Sequence, residues 1–219
     1  MLFRCSRWIW VLAPTLALAV GVCGCWNPFN PDQEEEGDPD PVEIVDRTSK
    51  VNLVKFFAKA HEDQSTDDYT ESLHEDYQFW FSEDDRNDPL WDWTDWIGKE
   101  LDVSITNRMF QDDEVTDIHV DLTNQTQHSQ NAEDNFFEMI VGDPPFTVYR
   151  GDFLVDMHVI EDNGEERIDH WVDGKAFMYL ISDPIYEGQW QIWKIEDKGN
   201  EHKKAGQGTS WGSLKREMR

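Results

Sequence analysis

The hydrophobic period of this chain is mainly helical before Asp113 and alternating after it, and that division confines it to a mixed fold. From Ser49 onward the apolar residues recur at helical spacing, with Leu53, Phe56, Phe57 and Ala60 at i, i+3, i+4 and i+7. After Asp113 they alternate instead: Ile118, Val120 and Leu122 are separated by His119 and Asp121, and Phe153, Val155, Met157 and Val159 repeat the pattern. Helices first and long strands afterwards give an α+β layout, one curved antiparallel sheet wrapped over about three helices.

The elements follow from local signals. Ser49 caps the first helix, and Ser65 or Thr66 caps a short second one with Asp67 and Asp68 in its first turn and Tyr69 and Leu73 on its buried side. Tyr77, Phe79 and Phe81 alternate with Gln78 and Trp80 as a strand, followed by a charged loop from Ser82 to Pro89. A third helix is expected from about Thr94 to Phe110, carrying Trp93, Ile97, Leu101 and Ile105 at steps of four and weakened by Gly98. Asn124 to Asn135 reads as a polar loop. Strands are expected at Phe146–Ile160, Arg167–Ile181 and Trp190–Ile195, with Asn163-Gly164 as the hairpin signal and a bulge at Gly174. The expected core includes Leu53, Phe57, Phe79, Ile97, Val120, Val155 and Trp190.

Charge and cysteine placement narrow the function classes. With 46 Asp and Glu against 19 Lys and Arg, the net charge of −27 repels phosphate backbones, so no nucleic acid partner is expected. All three cysteines, Cys5, Cys23 and Cys25, precede residue 26, so the remaining chain has no thiol for a disulfide, a zinc site or a nucleophile. Arg4 and Arg7 followed by an apolar run from Trp8 to Val22 have the form of an export signal, too short for a membrane-spanning helix of about 20 residues. Val22-Cys23-Gly24-Cys25 resembles the lipobox of bacterial lipoproteins. That resemblance implies a signal peptide over residues 1–24, a mature N-terminus at Cys25 carrying a diacylglyceryl thioether, and a membrane partner reached through the lipid anchor. Trp26 rather than Asp after the cysteine points to the outer membrane of a cell that has one. Residues 25–47, with four Asn-Pro or Asp-Pro pairs around Glu34-Glu35-Glu36, form an acidic, proline-rich tether.

The order of elements over residues 48–216 resembles the cone-shaped nuclear transport factor 2-like (SnoaL-like) superfamily. The resemblance rests on the first two helices, the segment Leu73-His74-Glu75-Asp76-Tyr77-Gln78-Phe79, the helix ending Asn107-Arg108-Met109-Phe110, and the strands that follow. The ending Gln189-Trp190-Gln191-Ile192-Trp193-Lys194-Ile195 and the tail Ser210-Trp211-Gly212-Ser213-Leu214-Lys215 look like a branch of bacterial lipoproteins with that fold. Two functions are implied: a cone that binds a small apolar ligand or an envelope partner, with a homodimer through the open sheet face, or an enzyme of the isomerase, dehydratase or cyclase type. In the isomerases the catalytic Asp lies on the first strand at a position that falls on Phe81 here, and a phenyl ring cannot take a proton. Binding is therefore preferred over catalysis.

The candidate ligand lining is Tyr77, Phe79 and Phe81 on the concave face of the first strand, with Trp93 and Trp96 from Trp91-Asp92-Trp93-Thr94-Asp95-Trp96 at the mouth. Rings at strand parity equally fill a core. His119, between Asp117 and Asp121, and His158, beside Asp156, are expected to face outward as solvated residues. No metal site, cofactor or catalytic residue is assigned, because no HExxH, GxSxG or phosphate-binding glycine loop occurs. The tail from Lys198 reverses the charge of the chain, and either lies along the acidic body or meets anionic lipid, with Trp211 and Leu214 pinning it to the domain.

Overall fold

The computed structural model describes residues 46–88, 94–199 and 209–218. The export signal, Cys25, most of the tether and Trp93 lie outside the described residues. Helix α1 (Lys50–Glu62) starts where the Ser49 hydroxyl accepts from the Asn52 amide and the Glu133 carboxylate accepts from the Lys50 and Val51 amides, which meets the positive end of the helix with a negative charge. Its apolar stripe, Leu53, Phe57 and Ala60, is buried. Helix α2 (Thr66–Ser72) is capped by Ser65 and runs directly into strand β1 (Leu73–Trp80). The stretch expected to be a charged loop contains a single turn, α3 (Glu83–Arg86), capped by Ser82.

The third helix departs from its sequence signal. Trp96–Gly98 forms a short strand, β2, antiparallel to β1, and helix α4 spans Lys99–Gln111. Leu101 is 49% exposed, and the buried stripe of α4 is Asp102, Ile105, Thr106, Met109 and Phe110. Steps of four overshoot the 3.6-residue turn by about 40° each, so a stripe drawn through Ile97, Leu101 and Ile105 rotates off any single face.

Strands β3 (Val115–Asn124), β4 (Phe137–Val141), β5 (Phe146–Asp162), β6 (Arg167–Ser182) and β7 (Trp190–Asp197) complete a seven-stranded sheet ordered β2-β1-β7-β6-β5-β3, with β4 also paired to β5. All pairs are antiparallel except β1 with β7. The α+β class with a curled, mostly antiparallel sheet packed against helices is thus present. The bulge expected at Gly174 is absent, since that residue pairs squarely with Val155. The extra residue is Trp193, because Tyr179 pairs with Lys194 while Leu180 pairs with Ile192. This irregularity lets Ile192 and Ile195 both point into the core. The β5–β6 connection is four residues, 163–166, with Gly164 at φ 83°, where a side chain would be strained.

A last helix, α5 (Trp211–Glu217), returns across the sheet after Thr209 bridges in parallel to Val172. All these elements belong to one unit, Val45–Arg219. Arg47 is held inside it: its guanidinium donates to Glu71, Gln189, Asp183 and the Trp190 carbonyl.

Candidate functional site

Three of the five expected lining residues meet in the interior. Tyr77 and Phe79 project from the concave face of β1, Phe81 follows just beyond its end, and all three are at most 2% exposed. Trp96 goes the other way: it stands opposite Trp80 on the outer face, 40% exposed, with the two indoles stacked at 6.3 Å. Lys194 lies over the same Trp80 ring at 4.7 Å. Trp96 therefore does not join the other three in the interior, because β2 pairing sets its parity; it borders an open cleft beside Gly98 and Leu101.

What the interior holds besides rings is a polar group of five. Asp102, on the buried stripe of α4, is 0% exposed and accepts from the Tyr69 hydroxyl at 2.6 Å. Its other oxygen lies 2.6 Å from the Lys215 ammonium, which also donates to the Thr106 hydroxyl at 3.3 Å. The Tyr77 hydroxyl is buried beside Tyr69 and Asp102 without a hydrogen bond of good geometry. Burial, and then the negative charge of Asp102, push both phenols well above their ordinary ionisation range. His61 completes the wall. Its Nδ1 lies 2.9 Å from the Phe57 carbonyl, and burial depresses its imidazolium to about 4, so the ring is neutral at pH 7.

Lys215 comes from α5, which closes this interior. Trp211 and Leu214 are 3% and 2% exposed, and the Trp211 ring packs at 5.5 Å from Phe79 and 5.9 Å from Phe57. The expectation that these two residues pin the tail holds. Two buried carboxylates seat the helix: Asp85 accepts from the Ser82, Ser210 and Ser213 hydroxyls, and Asp197 accepts from the Gly212 amide. A Cβ on Gly212 would stand 2.7 Å from Asp85 and 2.8 Å from Phe81, so the contact admits only glycine without movement. The space left beside His61, Met109, Trp211 and Lys215 is about 10 Å³, no more than a single water needs.

Open concavities lie elsewhere: a cleft of about 500 Å³ along β1 and the start of α4, bordered by Tyr77, Trp96 and Leu101, and a more apolar groove at the N-terminal half of α1. Val51, Val54, Leu122, Phe136 and Phe153, with Asn124 and Thr126 as polar neighbours, line this groove, of about 430 Å³. Its walls come from α1, β3, β5 and the 125–136 segment, and the sequence gives no contiguous signal for it because the lining residues are spread over about a hundred positions.

Three histidines outside the core face carboxylates. His119 lies 3.2 Å from Glu62, and His158 sits between Asp169 at 2.9 Å and Asp156 at 3.3 Å with Trp171 stacked on its ring. His170 lies between Glu161 of β5 and Glu217 of α5. Among the described residues one set, His74, Glu75 and Asp76, brings three possible metal-ligand atoms within 4.8 Å, and there the His74 Nδ1 already accepts from the Asp76 amide.

Asp102, Lys215, Thr106, Tyr69 and His61 were not singled out from sequence as a site. One signal was available: Trp211, Leu214, Lys215 and Met218 fall at i, i+3, i+4 and i+7, which puts a lysine on an apolar helix face and requires a buried partner for it.

No protein-family model matches the sequence, and no curated protein is similar to it. Solved structures match it over about two thirds of its length. A protein of unknown function from Mycobacterium tuberculosis is 16% identical at a TM-score of 0.40, over 66% of this chain and 65% of that one, just under two thirds of its length. A nuclear transport factor 2-like protein from Salmonella enterica is 9% identical at 0.43, over 71% and 92%. A scytalone dehydratase homologue from Novosphingobium aromaticivorans is 13% identical at 0.44, over 67% and 78%.

Proposed function

We propose that this protein is a lipid-anchored lipoprotein of the bacterial cell envelope whose folded domain binds a small apolar ligand and performs no chemistry on it. The observation that carries this reading is the groove at α1: its volume suits a small molecule, the surface it exposes is mainly apolar, and its polar groups are the amides and hydroxyls of Asn124, Thr126, Gln127, Ser129 and Asn135 with the Lys55 side chain at its wall. Lipidation at Cys25 rests on the lipobox resemblance, and the tether of residues 25–47 gives the domain its reach from the outer membrane. The outer sheet face, where Trp96, Phe137, Phe146 and Leu154 are 36–40% exposed, is the surface we assign to a second copy or an envelope partner.

Nile red, a neutral apolar dye, tests the groove. The expected result is saturable one-to-one binding to the mature protein, weakened at least tenfold in Val51→Trp, which fills the groove from a partly buried position. Binding that is unchanged in this variant overturns the assignment.

One observation favours a second reading, an isomerase- or dehydratase-type enzyme. Tyr69 and Tyr77 flank the Asp102 carboxylate in an apolar interior, which is a set of groups suited to proton transfer. Against it, the carboxylate that would have to take the proton is paired with the Lys215 ammonium. Deuterium uptake by an enolisable hydroxy-ketone in heavy water, abolished by Asp102→Asn, would establish the enzyme.

A further inference from the structure

We propose that the closed interior is a second binding site, for an arylalkylammonium compound, and that α5 is its tethered occupant. The proposal goes beyond the groove reading and does not depend on it.

The chemistry of the ligand is read from what now fills the space. The Lys215 ammonium lies 2.6 Å from Asp102 and 3.3 Å from the Thr106 hydroxyl, and it faces the rings of Phe79 at 5.1 Å, Trp211 at 5.8 Å and Tyr69 at 5.9 Å. A buried carboxylate with aromatic faces around it is an ammonium receptor: the charge is compensated by ion pairing and the remaining sides by ring quadrupoles. Four residues before it on the same helix, Trp211 supplies an aryl group against Phe57, Phe79 and His61. One aryl group and one ammonium joined by a short aliphatic path describe both the helix face and the proposed ligand. The Tyr77 hydroxyl, buried beside Asp102 and Tyr69, offers an oxygen lone pair to the same ammonium.

Two further observations make exchange possible. Helix α5 has seven residues, too few to hold a helix alone, so it is ordered by docking and not by its own backbone bonds. The hydroxyl and amide donors it places on Asp85 and Asp197 are groups that water can replace when the helix lifts, and the contacts of Trp211 and Lys215 are the ones the ligand itself replaces. The net charge of −27 also concentrates cations near the domain. A free ligand competes with a tethered one, so its apparent affinity is reduced by the docking equilibrium of α5.

The test uses the intact mature protein and two probe pairs. Tryptamine, cationic at neutral pH, and its neutral isostere tryptophol are added separately while amide hydrogen exchange is followed. Tryptamine is expected to accelerate exchange of the Leu214 and Lys215 amides at least tenfold while leaving β5 and β6 unchanged, and tryptophol to act at least tenfold more weakly. Full-length Lys215→Ala then provides a measurement independent of helix release: n-propylammonium, which replaces the deleted atoms, is expected to raise its Tm, and 1-propanol at equal concentration is not. If Lys215→Ala does not fold, the exchange measurement on the unmodified protein decides alone. Equal action of neutral and cationic probes, or no action of either, overturns the proposal and leaves the Nile red result at the groove untouched.

Discussion

Lys215→Met, Asp102→Asn and their combination form a cycle that measures how the last helix is held. The two charges are 2.6 Å apart, and their side chains are 5% and 0% exposed. Methionine keeps most of the lysine volume but leaves the Asp102 carboxylate in the interior with the Tyr69 hydroxyl as its surviving hydrogen bond. Breaking a buried pair from one side costs about 3–5 kcal/mol, because the orphaned charge has lost its water and gained nothing in return. Asp102→Asn strands the ammonium and belongs in the same range. At roughly 2–4 °C per kcal/mol for a domain of this size, each single variant should melt about 6–20 °C lower. The double variant contains neither charge, and replacement of both members by neutral groups of similar shape is often near neutral, so its loss should be smaller than the sum by at least about 2 kcal/mol. Urea unfolding followed by tryptophan fluorescence and far-ultraviolet circular dichroism, with a common slope for all four proteins, supplies the numbers. If the two losses add to within about 0.5 kcal/mol, the pair is not coupled and α5 is not held through Asp102.

Trp211→Ala should cost about 3–5 kcal/mol by the cavity it opens against Phe57 and Phe79, whereas Trp96→Ala on the outer face should cost under about 1.5 kcal/mol; chemical denaturation of the two side by side checks the contrast. His61 is held neutral with a folded-state pKa of about 4 against an ordinary 6.5, so the unfolded chain takes up the proton first. Stability is complete above about pH 6.5 and falls by about 3 kcal/mol as the pH drops towards 4, a slope that His61→Leu should remove from the pH dependence of unfolding. Cys25→Ser should leave an uncut, unacylated precursor, read by intact mass; an acylated mature chain in that variant would move the lipidation site elsewhere.

The helical stripe of α1 and the alternation along β3 and β5 were legible because each depends on contacts repeated every turn or every second residue. Leu53, Phe57, Val120 and Val155 are buried where their period puts them, and His119 and His158 face outward for the same reason. Tyr77, Phe79 and Phe81 were legible as a concave row, though not whether the space in front of them was empty. Periodicity failed where an element was short or its neighbour was distant. Trp96 follows the pairing of β2 with β1, a partner its own sequence does not name, and the bulge sits at Trp193 because three strands must share one register there.

The candidate site was decided almost wholly by tertiary structure. Asp102 and Lys215 are 113 residues apart, since 215 − 102 = 113, and one acidic and one basic residue in a chain with 46 of the first and 19 of the second carry no pairing information. A charge on a buried helix face demands a partner, which the sequence of α5 does announce. Which partner, and therefore that the interior is closed by the chain's own C-terminal helix, is fixed only when the sheet curls far enough to bring α4, β1 and α5 around one point, because ion pairing acts through distance and not through order along the chain.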